Sequence, residues 1–469
     1  MSLFDEFEGT THQQWYDKII KDLKGAPGDV GVIDKLIWKS TEGIDVQPFY
    51  TSENLKQNKS KDFNLNNNKA VWENRFVVNI NTIEEANKKA LYALSRGADA
   101  IQFVGNINSQ NELNLLLKHI EVSIVGIHFY NSNPNKTHEF FSNYLLNNNI
   151  KLNNLNYSIS FDYIGELLVC GHWKTNEQAD LEELAILTKS TLPIKTISVN
   201  GLSFNNAGAT NVQELAYSFS QAVEYINYLT EKGLKIEEVA KKITFHFGIG
   251  SNYFFEIAKI RAAKILWKLI LNEYGVIDIP ININSTTTFT NFACFDQHNN
   301  ILRTTTEAMS AIIGGANSIS ILPFDSAYGT STEFSERIAI NIQHILKEET
   351  FLGKVNDISK GAYYIESITD ELVEKSLALF KEIEQKGGFL ANIKNGLIQD
   401  AIQQVAQNEQ QLFVDGKKTL LGVNKHQNKN NQEINKIETK GLINNIQIKV
   451  LQQVRFSEKI EDTAVSAKI

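Results

Sequence analysis

Between Ala70 and Tyr364 short β-rich runs alternate with stretches of helical length, and this alternation constrains the fold more than any other feature. The strand-like runs are VWENRFVVNI, ADAIQFVG, VSIVGIHFY, NYSISFDYI, IKTISVNG, ITFHFGIG, DIPININ and ANSISIL. Between them IEEANKKALYALSRG, NELNLLLKHI, EELAILTK, VQELAYSFSQAVEYINYLTEKG, FFEIAKIRAAKILWKLILNEYG and TTTEAMSAIIGG read as helices. Parallel strands need long crossovers and a helix is the usual one, so the pattern predicts an α/β protein. Eight strands in roughly 300 residues match a (β/α)8 TIM barrel better than an open doubly wound sheet.

The flanks read differently. Residues 5–25 carry Phe7, Trp15, Ile19, Ile20 and Leu23 on one side of an amphipathic helix, followed by the turn-rich GAPGDVG. An Asn-rich linker leads into the barrel, giving an N-terminal arm over 1–69, a barrel over 70–390 and a C-terminal helical extension over 391–469. In the tail, ITDELVEKSLALFKEIEQKGGF and NGLIQDAIQQVAQNEQQLF read as helices, LLGVN as a short strand and HQNKNNQEINKIETKG as a linker.

With 46 basic against 54 acidic side chains and a net charge of −8, no general attraction to nucleic acid or anionic lipid is expected. Two cysteines, Cys170 and Cys294, form no CxxC motif and no disulfide framework, which fits a reducing cytoplasm. The acidic and amide-rich start is not an export signal, and apolar runs such as Ile124 to Tyr130 fall far short of the ~20 residues of a membrane helix, so a soluble protein is expected.

Barrel sites lie at the C-terminal ends of strands. Those positions are Asn79, Gln102, His128, Asp162, Asn200 to Ser203, His246 to Asn252, Asn282 to Ser285 and Pro323 to Asp325. Few of them carry catalytic chemistry. Cys170 and His172 with His128 or Cys294 lack a recognised zinc spacing. Asp162 and Glu166 are a carboxylate pair of the kind that serves as acid and base, but if one strand runs through both they share a side only by ordinary two-residue alternation. FHFGIGSN and AIIGGANS place glycines after strands, yet neither matches a dinucleotide or triphosphate loop, and there is no G-x-S-x-G. His246 alternates with Phe245 and Phe247 and points either into the barrel or out of it.

Longer strings carry more information. KSTEGIDVQPFYT, NNAGATNVQELAYSFSQAVEYI, FHFGIGSNYFFEIAKIRAAKILW, HNNILRTTTEAMSAIIGGANSI, FSERIAINIQHILKEE, YYIES and LLGVN, spread in order from Trp38 to Asn424, resemble the methylmalonyl-CoA mutases, adenosylcobalamin-dependent radical isomerases. The resemblance implies a coenzyme-A-threaded barrel and, in active chains, a C-terminal cobalamin domain whose D-x-H-x-x-G histidine is the lower cobalt ligand.

Four departures remove parts of that chemistry. D-x-H-x-x-G is absent, and no histidine follows His426. NLNNNKAVW occupies the interval where active chains carry an aromatic-rich segment with the catalytic tyrosine. Ser203 stands where they have a histidine that bonds the thioester carbonyl, and Phe295 where they have a glutamine. No VRNTY segment supplies an arginine for the substrate carboxylate, which would then be held weakly.

The pattern resembles the non-catalytic small (beta) subunit of the heterodimeric bacterial enzymes. That implies a large (alpha) subunit as partner, adenosylcobalamin on the partner rather than on this chain, and no catalytic residue here. Weak acyl-CoA binding at the barrel mouth would use Ser203, His246, Asn284 or Arg303, the last equally readable as a structural residue at a helix start. The alternative is an acyl-CoA mutase substrate-binding component that works with a separate cobalamin-binding chain. Whether Phe204, Phe247 and Phe295 fill the bore decides whether a pantetheine arm could enter.

Overall fold

The computed structural model describes residues 9–26, 28–55, 72–152, 156–428 and 446–466. The Asn-rich linker before Trp72, including most of NLNNNKAVW, and the polar linker after Asn428 lie outside the described residues. Two short antiparallel strands, β1 (Trp38–Lys39) and β2 (Asp45–Val46), belong to the arm. Eight parallel strands follow: β3 (Glu73–Asn79), β4 (Ala100–Val104), β5 (Gly126–Tyr130), β6 (Ser158–Phe161), β7 (Lys195–Asn200), β8 (Ile243–Ile249), β9 (Ile283–Thr287) and β10 (Ser318–Ser320). They close into a barrel in sequence order, with β10 returning to β3, as the alternation predicts.

Side-chain alternation divides each strand between two environments. Phe76, Val78, Ile101, Phe103, Ile127 and Phe129 face outward into one apolar cluster with the surrounding helices. Ile197, Val199, Phe245, Phe247, Ile283 and Ile319 do so in a larger cluster, where Phe245 packs between Phe219 and the edge of Trp267. Polar residues occupy the alternate, bore-facing positions. Phe247 stacks on Phe245, and Phe204 meets Tyr217 and Phe389, so both lie in the helix layer. Phe295 is buried in the turn before the helix Asn299–Gly314. Phe204 and Phe247 therefore do not fill the bore.

Three local expectations differ from the structure. The strand expected from DIPININ starts only at Ile283, because Pro280 has no N–H to donate and Asp278 takes a left-handed φ of 61°. NYSISFDYI stops being a strand at Phe161: Asp162 caps the helix Tyr163–Cys170 by accepting from the Gly165 N–H at 2.9 Å, so Asp162 and Glu166 do not share a strand face. LLGVN is a turn closed by an isolated Leu421–Lys425 bridge. An additional helix, Pro134–Asn147, is hidden in the sequence by its Asn-rich composition; Pro134 starts it with the φ a first helical position needs.

The arm and the tail both dock on the barrel. The helix His12–Asp22 starts with a Thr11/Gln14 capping box, and its Trp15 stacks on Phe49 with ring centroids 4.8 Å apart. Glu42 reaches the start of the helix Asn211–Glu231 and accepts the N–H groups of Asn211 and Val212 at 2.9 and 3.0 Å. After the tail helices Tyr363–Gln385, Gly388–Lys394 and Leu397–Val414, an extended segment crosses the C-terminal rim. Its N–H groups bond the carbonyls of Gly171, Leu168, Asn206 and Thr290, which follow β6, β7 and β9. Phe456 stacks on Phe413, and Arg455 and Glu461 form a buried ion pair that also receives the Cys294 N–H.

Candidate functional site

The bore holds an ionic floor that starts from Glu73 and Arg75, two residues apart on β3 and therefore on one face. Glu73 Oε1 accepts from Arg75 Nε at 2.9 Å, Arg75 Nη2 at 2.8 Å and His128 Nε2 at 3.1 Å. His128 Nδ1 meets the Ser158 hydroxyl at 2.9 Å, so with its Nε2–H on the carboxylate the imidazole accepts from serine. The Arg75 side chain is only 2% exposed, and its charge acts on His128 of β5 and on His246 of β8, so the guanidinium lies among strands of both sides of the bore. Gly126 makes room for the floor: a Cβ there would lie 2.8 Å from Ala100 Cβ and 2.9 Å from Glu73 Oε2.

A second chain of bonds adjoins it. Ser318 donates to Asn284 Oδ1 at 2.9 Å, and the Asn284 amide donates to His246 Nδ1 at 2.8 Å, which leaves the proton on His246 Nε2. Burial opposes ionisation of Glu73, but Arg75 and His128 outweigh it and hold the carboxyl down at about 2. Burial and then Arg75 push His128 down to about 4, against the pull of Glu73. Burial, Arg75 and His128 push His246 down to about 3. At neutral pH the floor is therefore one Arg–Glu ion pair and two neutral imidazoles.

Above the floor the bore is open toward the mouth. Val77 is 38% exposed although its neighbours Phe76 and Val78 are buried, and Asn79, Gln102, Val104, Tyr130, Asn200, His246 and Thr286 are all at least partly accessible. Of the residues singled out in the sequence, His246 and Asn284 are brought together in the bore. Ser203 sits on the short rim helix Gly201–Asn206, partly exposed. Arg303 is on the outer helix Asn299–Gly314, where it bonds Asn300 Oδ1 and the Leu421 carbonyl, both at 2.7 Å, and does not face the mouth. His128, expected at the rim, is part of the floor.

The other candidate chemistries do not assemble. Cys170 donates to Glu166, and burial pushes its thiol up to about 11; Cys294 is buried beside Ala327. Among the described residues no three His, Cys, Asp or Glu side chains are placed to hold a metal ion. Gly248 and Gly250 face Asn205 and the Glu256 carboxylate, and Gly314 packs on Ile260, so neither glycine string is an anion cradle. Asp162, raised to about 6 by burial despite accepting from Tyr225, Gly165, Asn200 and Gln221, is a structural cap. Lys259 joins Glu214 at 2.7 Å and Glu256 at 2.6 Å beneath the rim, next to Glu307, whose carboxyl burial raises to about 8.

The Glu73–Arg75 floor was the feature that sequence reading missed. Its signal is present: two opposite charges at i and i+2 in a run whose other face is apolar.

A closed parallel barrel with polar side chains gathered in the bore and at its C-terminal mouth defines a (β/α)8 TIM-barrel protein. The chain belongs to the methylmalonyl-CoA mutase family, whose profile matches residues 103–468. It is 36% identical over 457 residues to the methylmalonyl-CoA mutase small subunit of Porphyromonas gingivalis, covering 91% of this chain and 71% of that one. Identity to the large subunit from the same organism is 28% over 433 residues, 83% of this chain and 61% of that one. Identity to the Escherichia coli methylmalonyl-CoA mutase is 36% over 278 residues, 58% of this chain and 39% of that protein.

Proposed function

We propose that this chain is the non-catalytic small subunit of a heterodimeric methylmalonyl-CoA mutase, supporting a large subunit in the interconversion of succinyl-CoA and methylmalonyl-CoA. The observation that carries the reading is the Glu73–Arg75–His128 floor, which obstructs the axis along which a pantetheine arm would thread. The similarity to the Porphyromonas gingivalis small subunit supports the same reading. In this proposal the arm over 1–69 and the extension over 391–469 are the parts outside the barrel that reach the partner. Cys170 and Cys294, which form no disulfide, fit a cytoplasmic setting, and no helix among the described residues is long and apolar enough to cross a membrane.

The two histidines of the bore do not fit a cobalamin ligand. His128 is committed to Glu73 and Ser158, His246 lies inside the bore with Nδ1 on Asn284, and the chain's own segment through Phe456 covers the rim at β6, β7 and β9. Adenosylcobalamin is therefore assigned to the large subunit. The test is size-exclusion chromatography with light scattering on this chain mixed with a large mutase subunit, following cobalamin absorbance across the peak. A one-to-one complex with one cobalamin per heterodimer supports the proposal. Separate elution, with cobalamin or acyl-CoA bound by this chain alone, overturns it.

A further inference from the structure

We propose that the cleft between the helices Asn211–Glu231, Tyr253–Glu273 and Tyr363–Gln385 is a binding site for a small organic cation, an ammonium group on an aryl or alkyl body. The cleft lies outside the barrel, and the inference does not rest on the scaffold role.

The first two helices run back against the strands they follow, so their C-terminal halves lie at the end of the barrel remote from the mouth. The third runs beside them in the same direction. Its Tyr364 meets Phe254 with ring centroids 5.3 Å apart, and twenty residues on, Glu384 acts on Tyr274. Its upper half packs closely: Glu366 is paired with the buried Arg261 at 2.8 Å, and Ile368, Leu372 and Val373 are buried. Below them Leu377 and Phe380 are only partly buried, and a cleft of about 490 Å³ opens, a size that small ligands use. Each helix lines it with residues about one turn apart. In chain order these are Val223 and then Asn227, Leu269 and Ile270 and then Glu273, Leu377 and Phe380 and then Glu384. Because the helices are parallel, hydrocarbon gathers at one end of the cleft and charge at the other.

The sign of that charge selects the ligand class. Glu273 and Glu384 line the polar end, and a third carboxylate, Glu224, acts on both Glu384 and Tyr274. Burial raises the Glu384 carboxyl above its ordinary value, and the Glu224 charge adds to the rise. Among the described residues Lys381 is the one cation of the lining, and it is exposed. The Tyr274 hydroxyl donates to Asn227 Oδ1 at 2.8 Å, so the phenol oxygen is left to accept. An anion would meet like charge here, and a neutral apolar molecule would take water from the carboxylates without replacing it. A bare metal ion is not served either, since among the described residues no three His, Cys, Asp or Glu side chains are placed to hold one. An ammonium head matches the carboxylate end and a hydrocarbon body matches the wall of Leu269, Leu377 and Phe380.

The probes are 3-phenylpropylammonium, 3-phenylpropanol and 3-phenylpropionate, one body with three head groups, titrated into the full-length chain at pH 7 and read by saturation-transfer NMR on the phenyl protons. The ammonium compound is expected to bind saturably and tightest, the alcohol more weakly and the carboxylate weakest. Glu384→Gln should weaken the ammonium compound about tenfold, the effect of losing one hydrogen bond to a charged group, and leave the alcohol unchanged. Glu273→Gln, at an exposed position that leaves the fold intact, should weaken it about threefold. Leu377→Trp, which fills the apolar end, should weaken both compounds. Absence of saturable binding of the ammonium compound at millimolar concentration overturns the proposal, as does a carboxylate that binds equally well or an ammonium affinity that none of the three substitutions alters. Loss of ammonium binding when a large mutase subunit is added would make the cleft part of a subunit interface and also overturn it. Heterodimer formation itself is read separately, by chromatography without the probes, so the two proposals fail independently.

Discussion

Glu73, Arg75 and His128 place an ion pair and a histidine inside the barrel, joined by hydrogen bonds of 2.8 to 3.1 Å. Their titration makes that floor sensitive to acid. A histidine whose folded pKa lies below its unfolded value stays neutral in the fold while the unfolded chain takes the proton, so its contribution is complete above about 6.5 and is lost as pH falls toward the folded value. For His128 that value is about 4, and for His246 about 3. Glu73, held at about 2, adds a further loss below its unfolded value of 4.5. Thermal midpoints should therefore fall steeply from pH 6.5 to 4, and His128→Gln should flatten that slope; an unchanged slope would remove His128 from the account. Glu307 acts in the opposite direction. Its carboxyl is raised from 4.5 to about 8, so its neutral form stabilises the fold fully below 4.5, and this is lost as pH rises through 8. Glu307→Gln should raise the unfolding midpoint at pH 8 more than at pH 5, as differential scanning calorimetry can check.

Single contacts control how the elements dock. Gly126 begins β5 beside Ala100 and Glu73, and Gly126→Ala forces one of them to move, an overpacking that costs about 1–3 kcal/mol. The expected signature is a lowered unfolding midpoint together with a changed His128 imidazole shift, since Glu73 is the neighbour able to yield. Glu42 fixes the arm by satisfying two N–H groups at the start of the helix Asn211–Glu231. Glu42→Ala should cost about 1–2 kcal/mol and speed proteolysis between Gly25 and Ser52, measured by limited digestion; unchanged cleavage would place the arm's anchor elsewhere. At this scale much was readable in advance: the helices around VQELAYSFSQAVEYI and EIAKIRAAKILW and seven of the eight strand positions follow from apolar period alone. DIPININ and LLGVN were misread because propensity treats Ile and Val alike in strand, turn and approach to a strand, whereas Pro280, the φ of Asp278 and the Asn424 side-chain bonds decide each case locally.

Across the molecule, the segment from Ile446 to Glu461 ties loops after β6, β7 and β9 to the tail helices. Removing it should expose Ala293, Phe413 and Val423 and lower the unfolding midpoint by several degrees, read by scanning fluorimetry on a chain ended before Ile446. No periodic pattern announces this segment, because its backbone bonds go to loop carbonyls rather than to a ladder. The order of β-rich and helical runs by itself determined the barrel, since each apolar face must be covered and parallel strands admit few crossovers. The long motif strings determined the family. What occupies the axis was decided only by tertiary structure: an alternating strand shows which residues share a face, but a one-residue change of register exchanges bore and helix layer. The pairing of β8 between β7 and β9 put Phe247 among the helices and His246 in the bore, and the pairing of β3 through β4 to β5 brought Glu73 within hydrogen-bonding distance of a histidine 55 residues away.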